Sequence, residues 1–148
     1  FDKFNLKKKH KISKSLILFL IYLGVFMLFS SLLFPSFAYH LVWLAFFFIL
    51  DPVNFLHKQP SIIYYLKNSK FAIPVCLMLA GIVCGFLWEF WNFWAPNKWV
   101  YNIPFLDFLK IFEMPVIGYL GYLPFAFELY AMYWFIRSLF VHKEHLLE

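Results

Sequence analysis

From Ser15 to Phe34 the chain carries no charged residue. A run of that length is what an α-helix needs to cross ~30 Å of hydrocarbon. The sequence stays hydrophobic beyond it, so a cleaved secretory leader is a poor reading. A membrane-spanning helix is the expectation. Composition points the same way: the chain is 64% hydrophobic, 25% aromatic and 14% charged, where an ordinary soluble domain carries roughly 25% charged residues. A soluble fold of 148 residues has too much surface for its volume to hide so many apolar side chains. The chain begins at Phe1 rather than Met, which leaves open that the true N-terminus lies upstream.

The expected fold is all-α, an integral membrane bundle of about four transmembrane helices with short interfacial helices. Residues 1–14 are a basic head that binds anionic headgroups and resists translocation. The first span covers 15–34 and ends at Pro35. The second covers 36–50, closed by Asp51-Pro52. It is short for a span, and a re-entrant or interfacial helix is the alternative. Residues 51–70 form a polar connection in which Pro60-Ser61 opens a short interfacial helix through Leu66. The third span covers 71–94, with Pro74 in its first turn, where proline is tolerated. An aromatic loop, APNKWVYNIPFLDFLKIF, follows over 95–112. Its part from Pro104 to Phe112 resembles an amphipathic helix lying in the interface. The last span covers 114–140 and is kinked by Pro115, Pro124, Gly118 and Gly121. A polar tail occupies 141–148. No soluble domain stands apart from residues 15–140.

The basic residues orient this arrangement. With four spans, all the lysines and the arginine except Lys98 and Lys110 fall on the side of the termini. That bias places both termini in the cytoplasm. It also supports the second span, without which Lys58, Lys67 and Lys70 would face outward. The net charge of +5 is therefore read as topology, and nucleic acid is not an expected partner. Cys76 and Cys84 lie about 12 Å apart along one helix, too far for a mutual disulfide. No Cys or His cluster argues for a metal.

Ionisable groups within spans are costly and mark candidate sites. Glu89 and Asn92 share a helical face near the outer end of the third span. A wetted carboxylate in an aromatic belt is the plain reading, and a buried acid is the functional one. Glu113 opens the last span, where a carboxylate complements the helix dipole. Glu128 lies deeper, in the inner half of the membrane. Glu89, Asn92, Trp99, Tyr101, Asp107 and Glu113 all fall on the outer side and could form one pocket for a lipid or other ligand. Paired carboxylates with aromatic walls could protonate an alkene and stabilise a carbocation, hold a cation, or hold a lipid headgroup. Gly81 and Gly85 form a GxxxG step that lets another helix approach. His40 is the histidine inside a span. A bis-histidine haem needs a second, so a satisfied interior histidine is the plainer reading, axial pigment ligation the other, and no cofactor is expected.

The segments WEFWNFWAPNKWVY and KIFEMPVIGYLGYLPFAFELY resemble a group of small, uncharacterised bacterial multi-pass membrane proteins. Asp51-Pro52, Pro60-Ser61 and Glu89 match its DP, PS and WEFWN elements. The resemblance covers about residues 40–135, and it implies membership without an activity. Trp99-Val100-Tyr101 followed by Pro115 is loosely similar to the W-x-Y and Pro-acidic-acidic elements of membrane-bound lycopene cyclases. Val116-Ile117 stand where that pattern has its paired acids.

The leading functional reading is a small subunit or scaffold of a bacterial inner-membrane assembly. It would pack through the GxxxG face and the aromatic surfaces, with membrane lipids and other subunits or further copies as partners. The first rival is an enzyme acting on a lipid or isoprenoid through Glu89, Glu113 and Glu128. The second is an ion or proton conduit through Glu128, Tyr119, Tyr122, Tyr130 and Tyr133.

Overall fold

A computed structural model describes residues 10–101 and 109–140. Helix α1, Lys14–Leu33, begins where the Ser13 hydroxyl accepts from the Leu16 amide at 3.1 Å. Such a cap satisfies one of the orphan donors of a first turn. Pro35 cannot continue α1, and it instead opens a short helix, α2, Pro35–Ala38. The Ser31 hydroxyl reaches both the Met27 and Ala38 carbonyls at 2.9 Å and ties the end of α1 to this turn. A 3₁₀ segment, Tyr39–Leu41, leads into α3, Val42–Leu56. His40 lies exposed in that 3₁₀ turn, within the apolar stretch Pro35–Leu56.

Helix α3 does not close at Asp51-Pro52. It runs through both residues to Leu56, although Pro52 gives up one backbone donor. Helix α4, Ile62–Lys67, is capped by Ser61, as the Pro60-Ser61 signal suggested. Helix α5, Ala72–Trp94, carries Pro74 in its first turn.

The chain then departs from expectation. Lys110–Ile111 (β1) and Met114–Pro115 (β2) pair as a small antiparallel hairpin. No helix occupies the described end of the Pro104–Phe112 segment. Pro104, Asp107 and residues 102–108 generally lie outside the described residues, as do 1–9 and 141–148. A 3₁₀ segment, Val116–Gly121, follows the hairpin, and α6 spans Tyr122–Phe140. The last helix thus starts at Tyr122 rather than at 114. Pro115 and the paired glycines 118 and 121 favour extended and 3₁₀ backbone ahead of it.

Among the described residues the architecture is all-α apart from that hairpin. Among the same residues, three helical stretches are long and apolar enough to cross a membrane: Lys14–Leu33, Pro35–Leu56 and Ala72–Trp94. The main packing runs α1 on α3, α3 on α6, and α6 on α5. Small residues set the spacing. A Cβ on Gly24 would come within 2.7 Å of the Ala45 carbonyl oxygen, so α1 and α3 meet backbone to backbone. Gly81 faces the Tyr122 carbonyl and Ala126, and Gly85 lies flat against the Tyr122 ring. The GxxxG face is therefore filled by the chain's own last helix.

Candidate functional site

Polar side chains cluster at both ends of this helical row. At one end Asp51 is 0% exposed. Its Oδ1 accepts from the Ile62 amide at 2.6 Å and its Oδ2 from the Ile63 amide at 3.0 Å. One carboxylate thus ties α3 to the start of α4. One turn on, the Asn54 amide donates to the Ala131 carbonyl at 2.9 Å and joins α3 to α6. Tyr65 of α4 and Tyr130 of α6 share a hydroxyl–hydroxyl bond of 2.9 Å. Glu128, buried at 5% exposure, projects from α6 a short way before Ala131.

At the other end Glu89 is 0% exposed. Helix α5 brings it up beside Tyr122, because Gly85, one turn earlier, lets the Tyr122 ring lie against the helix. The Tyr122 hydroxyl donates to Glu89 Oε1 at 2.9 Å, and the Tyr101 hydroxyl donates to the same atom at 2.8 Å. Glu89 Oε2 is buried with no hydrogen-bond partner. Burial, then the bond to Glu89, pushes the Tyr101 hydroxyl up to about 12, so it remains a neutral donor at physiological pH.

Tyr101 is delivered by the aromatic loop after α5. Asn92 holds that loop reciprocally: its amide donates to the Trp99 carbonyl at 2.7 Å, and its oxygen accepts from the Trp99 amide at 2.6 Å. Lys98 is ion-paired with Glu113. The Lys110 ammonium donates to the Tyr101 carbonyl at 3.2 Å. Glu113 sits at the tip of the β1–β2 hairpin rather than at a helix start, so it does not complement a helix dipole there. Its neighbour Phe112 takes a left-handed φ of 57°, unusual for a bulky residue. The Phe112 ring stacks among Phe86, Phe90 and Phe93 at 5.3, 5.8 and 5.6 Å, which offsets that strain.

Of the residues singled out by sequence, Glu89, Asn92, Trp99, Tyr101 and Glu113 meet around the loop after α5. Glu128 is not among them. It lies six residues beyond Tyr122, about 9 Å along α6. Asp107 lies outside the described residues. The pairing of Glu89 with Tyr122, and of Asp51 with α4, could not be read from spacing. No family model, curated protein or solved structure matches the chain.

Proposed function

We propose that this chain is a small integral membrane subunit or scaffold of a bacterial inner-membrane assembly. It would cross the bilayer four times, with both termini in the cytoplasm. The fourth crossing would consist of the 3₁₀ segment 116–121 and α6. In support, α6 packs between α3 and α5, two of the stretches apolar enough to span. Met114 and Pro115, which lead into that 3₁₀ segment, are buried.

The observation that carries the scaffold reading is how the polar side chains are used. Asp51, Asn54, Asn92 and Glu113 are each engaged with another part of the same chain. The outermost helices of the row meanwhile turn apolar side chains outward: Phe19, Phe26 and Phe29 on α1, Val83 and Leu87 on α5. Those faces suit lipid and neighbouring subunits alike. With Gly81 and Gly85 occupied within the chain, contact with partners would fall on these flanks.

The rival enzyme reading has one observation in its favour, the unpartnered Oε2 of Glu89. Its weakness is that Glu113, the second acid it needs, is neutralised by Lys98. Native mass spectrometry of the protein, extracted gently from its own membrane, separates the two. Co-isolation with other membrane subunits at a fixed ratio is expected. A monomer or homo-oligomer alone would overturn the scaffold reading. Altered membrane lipids or isoprenoids in Glu89→Gln cells would then favour the enzyme.

A further inference from the structure

Five lysines meet at the end of the bundle opposite Glu89. Lys11 precedes α1 and Lys14 opens it, Lys58 follows α3, Lys67 ends α4 and Lys70 comes just after it. The fold joins these segments. The His10 amide donates to the Lys67 carbonyl at 2.8 Å, and the Lys70 amide donates to the Tyr65 carbonyl at 2.8 Å. Like charges gathered in this way repel one another unless anions lie near. Among the described residues none of the five forms an ion pair. The carboxylates at this end are not available to them. Asp51 is spent on the Ile62 and Ile63 amides, and Glu128 is enclosed.

The lysines stand on a fastened frame. Asp51, the Ser61 cap and the Tyr65–Tyr130 bond hold α4 in place. The Lys67 ammonium lies 5.2 Å from the Phe55 ring centroid, and the Lys70 ammonium 5.4 Å from that of Tyr64. A ring face attracts an ammonium without neutralising it, so both charges stay available to an anion. Leu56 and Leu66 are exposed beside them in the chain. Ammonium groups next to exposed leucines, at the ends of membrane-length helices, match the chemistry of a phospholipid. Its phosphate pairs with the lysines, and its acyl chains lie along the leucines. A water-soluble polyanion would use the lysines alone.

We propose that α4 and the start of α1 form a binding site for an anionic phospholipid headgroup. Lys67 and Lys70 are its main contacts, and Lys11, Lys14 and Lys58 line its rim. The basic head of the chain is thus one edge of a folded site. A bound lipid bridges the start of α1, the turn after α3 and α4, and stabilises the fold by mass action. The site rests on the chain being a membrane protein and is independent of whether it acts as a scaffold.

The test is thermal unfolding of the purified full chain in phosphatidylcholine nanodiscs. Rising fractions of phosphatidylglycerol replace the phosphatidylcholine at constant ionic strength. The wild-type midpoint is expected to rise and saturate. A lysine near an anionic surface is worth about a fivefold change in binding, so Lys67→Gln/Lys70→Gln raises the half-saturating fraction about twenty-fivefold. Lys67→Arg/Lys70→Arg keeps the charges and restores the response. Lys11→Gln/Lys14→Gln, which leaves α4 untouched, weakens the response and remains informative if the α4 variant fails to fold. Equal midpoints with and without phosphatidylglycerol would overturn the site. A rise that survives unchanged in Lys67→Gln/Lys70→Gln would overturn it too, and would leave these lysines as topology determinants only. A rise reproduced by inorganic phosphate in pure phosphatidylcholine nanodiscs would overturn the lipid as occupant.

Discussion

Asp51 concentrates more structural consequence than any other polar residue at its end of the molecule. Both of its oxygens accept from consecutive amides of α4, at 2.6 and 3.0 Å. Asp51→Asn replaces one of those acceptors with an amide donor facing a backbone donor. An unsatisfied buried group costs about 1–3 kcal/mol. The thermal midpoint of Asp51→Asn is therefore expected to fall clearly. Asn54→Ala loses a single interhelical bond to Ala131, of the kind worth about 0.6 kcal/mol and at most about 1.7 within membranes. It should be the milder variant in the same unfolding assay. If Asp51→Asn unfolds like wild type, the carboxylate does not fasten α4. Glu89 differs from both, because half of its hydrogen-bonding capacity is unused. That keeps it the candidate site residue, whereas Asp51 and Asn54 are fasteners.

The helices approach one another through glycine, and two substitutions separate their roles. A Cβ on Gly24 meets the Ala45 oxygen at 2.7 Å and the Ile49 amide nitrogen at 3.0 Å. Both are backbone atoms and cannot turn aside, so α1 must move away from α3. Overpacking of this kind costs about 1–3 kcal/mol. Gly85→Ala instead meets the Tyr122 ring, which the hydroxyl bond to Glu89 holds in place. Gly24→Ala is expected to lower the thermal midpoint through the α1–α3 contact alone. Gly85→Ala is expected to lower it as well, because it displaces the Tyr122 ring and with it the hydroxyl bond to Glu89. Adding Tyr122→Phe to Gly85→Ala should then cost less than Tyr122→Phe costs in the wild type. Full additivity of the two would show that Tyr122 is not positioned through this contact. The helices α1 and α5 were legible in sequence because a charge-free run and a proline-tolerant first turn are local signals. The end of α3 was not, since Asp-Pro reads as a stop and only the α4 amides reveal why the acid stays inside. The start of α6 was misplaced for a similar reason. A hydrophobic run says nothing about whether its backbone is helical or 3₁₀. Residues 33 apart, such as Glu89 and Tyr122, carry no spacing signal at all.

At the scale of the molecule, polar groups gather at opposite ends of one row of helices. Asp51, Asn54, Tyr65 and Tyr130 mark one end. Glu89, Tyr101, Lys98 and Glu113 mark the other. The excess of basic residues lies at the first end: Lys58, Lys67 and Lys70 surround α4, and the His10 amide donates to the Lys67 carbonyl at 2.8 Å, bringing the start of the chain to the same place. Positive charge is retained on the cytoplasmic side during insertion, so that end should be internal and the Glu89 end external. Single cysteines can test this after Cys76 and Cys84, both exposed, are replaced by serine. Asn97→Cys, in the exposed loop after α5, is expected to react with a membrane-impermeant maleimide in intact cells. His57→Cys, exposed just beyond α3, is expected to react only after permeabilisation. The reverse pattern would invert the molecule and turn the Glu89 site toward the cytoplasm. Labelling of both in intact cells would mean that α5, the long helix between the two positions, does not cross the membrane. With the α2–α3 stretch entering and leaving by one face, an odd number of crossings would separate His10 from α4. The His10–Lys67 contact at 2.8 Å argues against that arrangement, because it requires both to lie on the same side.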